Sequence, residues 1–333
     1  MNYFISKPHT VLFSLTLILG TLISVSSNNW MSIWMGLELN LYSFIPLMLQ
    51  SSINQEKEAS IKYFLIQALA SIILLLGSFL TMFFYKSWIF ILLALMIKLG
   101  AAPCHFWFPI IMNSLSWHMC LILSTIQKIA PMFLLTQMLQ PTSSMVTTLI
   151  SSIGAITGAI GGMNQTQIRA IIAYSSIGHI GWMIASTLSS SLMTLIYFLG
   201  YMIILSSIIM SLTPTYTLSS NSIYPMTPNP KTMKIMSISS LLSLAGLPPF
   251  FGFFPKLLLL STLISTKFFL LPTILVLSST LNLYFYLKII TSLFFKTPQH
   301  MVLVPKTKTH NISMTLLMIF ASFFSLAILI FTM

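Results

Sequence analysis

Residues 243–256 read SLAGLPPFFGFFPK and lie inside a long apolar part of the chain. Pro248 and Pro249 have no backbone N–H and break a helix in which they stand, and the ammonium group of Lys256 is costly to place in lipid. Backbone groups freed by a break are tolerated in a membrane only beside protein or water. The stretch therefore predicts a discontinuous membrane helix with a functional lysine beside its break.

An earlier stretch, LGAAPCHFWFP at residues 99–109, is similar. In both stretches a proline is followed six residues later by another, with aromatic residues between them: Pro103 to Pro109, and Pro249 to Pro255. Each stretch belongs to the fourth span of a set of five, and because five is odd, the two sets enter the membrane from opposite sides. Inverted-repeat transporters show this pattern, and their broken helices mark the functional centre. A chance match over so short a stretch is the alternative.

The composition of the whole chain is that of a polytopic membrane protein. Of its 333 residues 56% are hydrophobic and 5% are charged, whereas about 25% of the residues of a soluble domain are charged. Apolar segments long enough to cross a bilayer recur from end to end. The predicted spans lie at 9–26, 30–50, 59–84, 87–111, 116–138, 143–163, 168–188, 192–213, 235–264, 269–294 and 312–332.

We therefore expect a single all-α membrane domain over residues 1–333, with about eleven transmembrane helices. It would contain two inverted five-helix repeats with discontinuous helices, an antiporter-like fold. The first five-helix unit is predicted at 9–138, the second at 143–294, and a C-terminal helix at 312–332.

The net charge of +12 arises from 15 Lys and Arg residues against three Glu residues. Such a balance can indicate nucleic-acid binding, but here the basic residues are spread along loops and helices instead of forming one cluster. Anionic lipid, such as cardiolipin, is the expected counter-charge.

Eight loop residues with basic side chains fall on the N-terminal side of the membrane, against Lys86 and Lys267 on the other side. The positive-inside rule therefore places the N-terminus on the cytoplasmic side or its organellar equivalent.

Five ionisable residues fall deep in the predicted spans: Glu38, Lys98, Lys128, His179 and, just after the break of the ninth span, Lys256. A charge at the centre of a membrane helix costs about 2.5–3.5 kcal/mol. These groups are tolerable if they face a hydrated interior, pair with one another or lose their charge. They are the candidate site.

A lysine near a helix end can instead extend its stem and place its ammonium group at the interface. We predict this behaviour for Lys62, Lys267, Lys288 and Lys296. The depth of Lys98, Lys128 and Lys256 argues against it for those three.

Glu38 is the only acidic residue inside a predicted span, and Lys98 is its obvious partner. One carboxylate cannot neutralise three lysines, so at least one lysine is expected to be neutral part of the time, as a proton relay requires. His179 could pass a proton at neutral pH, with a packing role as the alternative.

Gly154 and Gly158 form a small-residue face that predicts close helix packing. Ser175 and Ser176 are interpreted as interhelical hydrogen-bonding residues, because no acid–base partner for a nucleophile accompanies them.

The motifs together identify a family. GAAPCHFWFP with Lys98 five residues before Pro103, Lys128 in span five, NQTQIRAIIAYSSIGHIGW and AGLPPFFGFFPK resemble the chain 2 family of NADH–ubiquinone oxidoreductase. These are the mitochondrially encoded, antiporter-like membrane subunits of respiratory complex I. The resemblance covers essentially the whole chain in order, and it is the combination of motifs that makes it specific.

The resemblance implies an eleven-helix protein of the mitochondrial inner membrane, with its N-terminus on the matrix side and other membrane-arm subunits as partners. Glu38 and Lys98 would interact, Lys128 would be the central lysine, His179 a connecting group and Lys256 the lysine of the second unit. Protons would move along a polar axis with internal water. The chain itself would bind no flavin, iron–sulfur cluster or quinone, since the complex uses NADH, FMN, iron–sulfur clusters and ubiquinone elsewhere. The sequence also has no metal-ligand motif, so no metal is expected.

One position departs from the family. After FWFP the family often has a glutamate, and here Ile110 and Ile111 stand instead, so a carboxylate that could serve proton access or loop contacts is missing. Two other functions stay open on the residues alone. One is a cation/proton antiporter subunit, and the other is a structural subunit whose lysines only hold helices in register.

Overall fold

A computed structural model of the chain describes residues 8–50, 53–81, 83–84, 87–139, 144–212 and 230–295. The regular secondary structure of these ranges is entirely helical, which confirms the all-α prediction. The predicted C-terminal helix at 312–332 lies outside the described residues. The helices are α1 (Pro8–Ser26), α2 (Trp30–Met48), α3 (Asn54–Leu80), α4 (Trp88–Leu99), α5 (Trp107–Ser114), α6 (Trp117–Ser124), α7 (Ile126–Met138), α8 (Ser144–Met163), α9 (Ile168–Ser186), α10 (Ser191–Leu212), α11 (Pro230–Ala245), α12 (Phe253–Ser265) and α13 (Leu270–Phe295).

Within the described ranges, seven helical segments are long and apolar enough to cross a membrane. Their outer faces expose large apolar side chains, such as Leu22, Leu69 and Leu199, as expected of a surface in contact with lipid. Shorter apolar helices account for the two predicted breaks: α4 and α5 form the fourth span, and α11 and α12 form the ninth.

In both broken spans, the helix that precedes the break ends with the same kind of cap. Gly100 and Gly246 have φ angles of +67° and +84°, which a glycine adopts at no steric cost. After each glycine, the backbone N–H of the next residue bonds to a carbonyl five residues back: Ala101 to Met96 at 3.0 Å, and Leu247 to Leu242 at 3.5 Å. This is the Schellman cap of a helix C-terminus. The similarity of the two stretches in sequence is therefore also a similarity in backbone structure.

The fifth span differs from its prediction as one continuous helix, because it is interrupted at Thr125, between α6 and α7. Thr125 has φ −117° and ψ −75°, and its hydroxyl donates to the Leu121 carbonyl at 2.6 Å. Pro131, farther along α7, has no N–H for the carbonyl one turn back. The interruption places Lys128 in the first turn of a new helix.

The helices of the two predicted units pack in the same pairs. In the first set α1 packs against α2 and α7, α2 against α3, α3 against α4, and α4 against α7. In the second set the corresponding pairs are α8 with α9 and α13, α9 with α10, α10 with α11, and α11 with α13. This agreement supports an internal repeat, while the unit boundaries at 9–138 and 143–294 stay predictions.

Close glycine contacts hold the first two helices of each set together. A Cβ atom built on Gly20 would lie 2.8 Å from the backbone nitrogen of Asn40, and one built on Gly158 would lie 2.7 Å from the Cα of Gly178. No side chain fits at such distances, so the helix backbones touch directly. The predicted packing face at Gly154 and Gly158 is therefore confirmed, as the contact between α8 and α9.

Arg169 joins the two sets at one membrane side. It lies at the start of α9, donates from Nη1 to the carbonyl of Leu115 at the end of α5, and stands 5.7 Å from the ring of Trp117 at the start of α6. We expect Arg169→Ala to lower the stability of the assembled chain by about 1.5–3 kcal/mol, the typical contribution of a hydrogen bond to a charged group. Thermal unfolding of the purified complex would show this as a lowered midpoint for this chain.

Arg169→Lys is the matched variant, because it keeps the charge but lacks the planar guanidinium that both bonds a carbonyl and stacks on an aromatic ring. It should give an intermediate loss. Equal stability of Arg169→Ala and the unchanged chain would contradict the assignment.

Candidate functional site

The described lysines with a predicted position fall into a buried group and an exposed group, as the sequence predicts. Lys98, Lys128 and Lys256 are buried, with 7%, 2% and 6% of their surface exposed. Lys62, Lys267 and Lys288 are exposed, as expected of lysines whose stems reach toward the interface. Lys296 lies outside the described residues. The three buried lysines therefore need a local environment that tolerates a cation.

Lys256 finds such an environment at the break of the ninth span. Its Nζ donates to the carbonyl of Ala245 at 2.8 Å and to that of Leu244 at 3.3 Å. These carbonyls end α11, and a helix C-terminus carries a partial negative charge. Since the prolines at 248 and 249 end the helix here, the break itself creates the acceptors for the lysine. Nζ also lies 5.7 Å from the ring centroid of Trp182.

His179, on α9, is buried with 6% exposure. Its Nδ1 lies 3.0 Å from the hydroxyl oxygen of Tyr197 on α10. It also interacts with the backbone of Leu244 and electrostatically with Lys256 and Lys128. His179 therefore shares the end of α11 with Lys256, and the structure brings these two predicted site residues together.

Lys128 lies between the two units. Its Nζ is 4.5 Å from the ring centroid of Phe108 on α5 and 5.7 Å from that of Tyr201 on α10. Among the residues that the structure describes, this Nζ atom has no hydrogen-bond partner. Aromatic faces attract a cation, but a buried ammonium group normally also needs hydrogen bonds. The site is thus suited to a group that changes its protonation state.

Lys98 lies in the last turn of α4, which ends at Leu99, and therefore just before the break of the fourth span. Glu38, on α2, is 8% exposed. Its carboxylate interacts electrostatically with Lys98 and with Tyr63, and its Oε1 is buried without a hydrogen-bond partner in the described part of the chain. The structure therefore places the predicted pair in one electrostatic neighbourhood.

A chain of polar side chains near Lys128 was not anticipated from the sequence. Tyr63 donates from its hydroxyl to Oε1 of Gln127 at 3.2 Å, and Gln127 donates from Nε2 to Oδ1 of Asn40 at 2.9 Å. The chain joins α2, α3 and α7, and its member Tyr63 interacts with Glu38. Amide side chains at the centre of apolar helices were the available signal, since buried amides need partners.

Ile110 has 57% of its surface exposed and so points away from the buried lysines. The corresponding position of the second stretch is Lys256, which is buried. A glutamate in place of Ile110 would therefore stay outside the interior of the site, whereas Ile111 is fully buried, and a glutamate there would add a carboxylate to the packed interior. The first unit carries its lysine before the break, on α4, and the second carries it after the break, on α12.

We expect Gly246→Ala to disturb the site through Lys256. The added methyl would lie 2.7 Å from the lysine Nζ, at a backbone position with φ +84°, and would push the ammonium group away from its carbonyl acceptors. Proton pumping by the assembled complex should fall more than the amount of complex does, when proton uptake and NADH oxidation are measured on the same proteoliposomes.

Gly100→Ala is the matched control, because Gly100 also has a positive φ but its added methyl would meet Phe108 Cβ at 3.0 Å instead of a lysine. Equal losses of pumping in the two variants would attribute the effect to backbone strain alone.

The chain matches the family model of the NADH:quinone oxidoreductase/Mrp antiporter membrane region over residues 27–90 and 85–282. It is 43% identical over 296 residues to NADH-ubiquinone oxidoreductase chain 2 of Lumbricus terrestris, with 87% of this chain and 88% of that one covered. Its fold is similar to a chain in the structure of respiratory complex I from Thermus thermophilus with bound aureothin. That match has a TM-score of 0.77 and 23% identity and covers 88% of this chain and 72% of the other.

A chain of the Mrp complex from Dietzia sp. DQ12-45-1b is similar as well, with a TM-score of 0.78, 20% identity and 86% of this chain and 61% of that one covered. The antiporter-like fold expected from the sequence is thereby confirmed.

Proposed function

Because the chain belongs to the NADH-ubiquinone oxidoreductase chain 2 family, we propose that it moves protons through Glu38, Lys98, Lys128, His179 and Lys256 as a membrane-arm subunit of respiratory complex I. It is a multi-pass protein of the inner membrane and works with other membrane-arm subunits. Electron transfer from NADH to ubiquinone takes place in other subunits, and this chain helps to convert its free energy into proton translocation.

The observation that carries the proposal is the burial of Lys128 without a hydrogen-bond partner among the described residues. An ammonium group held there permanently would be costly, whereas a lysine that gains and loses a proton needs only transient water contact. Two ammonium groups in one interior of low dielectric constant also repel each other strongly. Protonation of one lysine therefore favours release of a proton from the next.

Each relay residue has a role that follows from its position in the chain of groups. Glu38 and Lys98 form one end of the relay, and changes in their separation alter how strongly Lys98 holds its proton. Lys128 is the central lysine, and His179 connects it to Lys256 beside the carbonyls of α11. Internal water completes the contacts between these groups. The chain itself holds no flavin, iron–sulfur cluster, metal or quinone, its N-terminus lies on the matrix side, and anionic lipid such as cardiolipin balances its positive charge.

The first test is a native gel of detergent-solubilised mitochondrial membranes from the source organism, stained for NADH dehydrogenase activity. Mass spectrometry should find peptides of this chain in the large active band. Their presence only in a separate band would rule out the subunit assignment.

The Mrp-like fold favours one second function, that of a cation/proton antiporter subunit. Sodium-dependent proton exchange by the isolated chain in vesicles would support it, and sodium-independent behaviour would leave complex I as the assignment. The structural alternative predicts that replacement of Lys256 by Ala reduces assembly but leaves proton pumping per electron unchanged in the complex that does assemble.

A further inference from the structure

Two tyrosines one helical turn apart on α10, Tyr197 and Tyr201, lie near Lys128 and His179. The ring of Tyr201 stands 5.3 Å from that of His179, centroid to centroid, and 5.7 Å from Nζ of Lys128. Tyr197 faces His179 through its hydroxyl, at 3.0 Å from Nδ1. Both tyrosines are 3% exposed. Tyr201 thus stands close to both Lys128 and His179, and Tyr197 contacts His179.

The hydroxyl of Tyr201 is buried and has no hydrogen-bond partner within the described ranges. It lies near Ser176, whose own hydroxyl donates to the Ala173 carbonyl at 2.6 Å. Ser176 thus faces Tyr201 across the contact of α9 with α10, while its own proton goes to a carbonyl one turn back, which is always in reach of a serine in a helix. The serine oxygen still has lone pairs. The Ser176 oxygen is therefore a nearby acceptor for the Tyr201 hydroxyl, which forms no fixed hydrogen bond in the described ranges.

The Nζ atom of Lys128, which lies 5.7 Å from the Tyr201 ring, also has no hydrogen-bond partner among the described residues. Buried polar groups of this kind are normally satisfied by protein or by ordered water, and a polar cavity with two or more partners can hold such a water. One internal water would thus link Lys128 to the Tyr201 hydroxyl.

Tyr197 interacts electrostatically with Tyr286 and with Tyr201, and His179 is set to receive a proton from Tyr197. The backbone carbonyl of Leu244 interacts with the imidazole and can accept only from an N–H. That contact favours the tautomer in which Nδ1 is unprotonated and accepts from the Tyr197 hydroxyl.

We propose that Tyr201 and Tyr197 carry the proton between Lys128 and His179. The Lys128 ammonium gives a proton, through water, to the oxygen of Tyr201, while the Tyr201 hydroxyl passes its own proton, again through water, to the oxygen of Tyr197. Tyr197 in turn gives its original proton to Nδ1 of His179. Each tyrosine gains one proton and releases one, so both end neutral. Lys128 ends as an amine and His179 as an imidazolium. The proposal rests on the proposed function of the relay.

The test is the number of protons pumped per electron by the assembled complex in proteoliposomes, for Tyr201→Phe and Tyr197→Phe. Each change removes one hydroxyl and keeps the ring that packs against His179. Assembly should be normal, and coupled turnover should fall at least about tenfold, at the low end of the contribution of a proton-transfer group, with a lower proton-to-electron ratio.

Tyr286→Phe is the matched control. Tyr286 is 1% exposed and its buried hydroxyl also has no hydrogen-bond partner in the described part of the chain. It interacts with Ser175 and with both tyrosines of the pair, so it is a third hydroxyl of the same cluster that has no place in the proposed order of transfer. It should pump normally. An equal loss in Tyr286→Phe would overturn the assignment to the pair on α10.

Lys128→Met separates the inference from the function on which it rests. Normal pumping by Tyr201→Phe together with a loss in Lys128→Met would overturn the tyrosine pathway alone. Normal pumping by Lys128→Met would overturn the relay itself, and the tyrosine pathway with it.

Discussion

Lys128→Met should leave complex I assembled but lower its coupled proton pumping at least about tenfold, as expected for loss of a single proton-transfer group. Methionine keeps most of the length of lysine and has no charge to bury. Replacement of a buried charge by an apolar side chain of similar volume is often neutral or stabilising. A loss of pumping could therefore not be explained by unfolding. The measurement is proton uptake per NADH oxidised, with the amount of complex determined on native gels.

Lys62→Met is the matched control, because Lys62 carries the same side chain at an exposed position. It should pump normally. A Lys128→Met variant with an unchanged proton-to-electron ratio would instead show that Lys128 holds the helices in register and nothing more.

The breaks and the buried lysines could be predicted because both violate the rules for a membrane helix. A proline pair inside an apolar run and a lysine at mid-span each cost free energy unless structure compensates for them. The compensation is visible at Lys256, whose acceptors are the carbonyls that the break releases. Sequence features that are costly in lipid could therefore be assigned to the site before the structure was known.

The tyrosines of the site were missed because they violate no such rule. Tyr197 and Tyr201 lie in α10, which is apolar around its whole circumference, so periodicity does not show which face points inward. The spacing in YFLGY, residues 197–201, was the one local signal, since residues four apart share a helix face. Only the packing of α10 against α9 shows that the Tyr197 hydroxyl contacts His179 and that the Tyr201 ring lies beside the imidazole.

The interruption at Thr125 was missed for a related reason. A threonine within a helix can bond its own backbone without leaving a distinct pattern in the sequence. Pro131 indicated a weak point in the fifth span, but a proline alone does not fix at which residue the helix changes direction.

Gly158→Leu should prevent stable assembly of the chain. The Cβ atom alone would lie 2.7 Å from the Cα of Gly178 and 2.8 Å from the carbonyl oxygen of Tyr174, and both obstacles are backbone, which cannot rotate away. Overpacking typically costs about 1–3 kcal/mol and occasionally more. Here α8 would have to separate from α9, which carries His179, so we expect a cost of about 3 kcal/mol or more. The amount of this chain in the intact complex on native gels should fall accordingly.

Gly154→Ala lies on the same face of α8 and is the matched control for Gly158→Leu. Its added methyl would approach Gly181 Cα at 3.3 Å, a distance that a shift of a few tenths of an ångström relieves, so most of the chain should still assemble. Comparable assembly of the two variants would mean that the α8–α9 contact adapts freely. The position of His179 beside Tyr197 would then not depend on glycine packing, and Gly158→Leu should retain proton pumping as well.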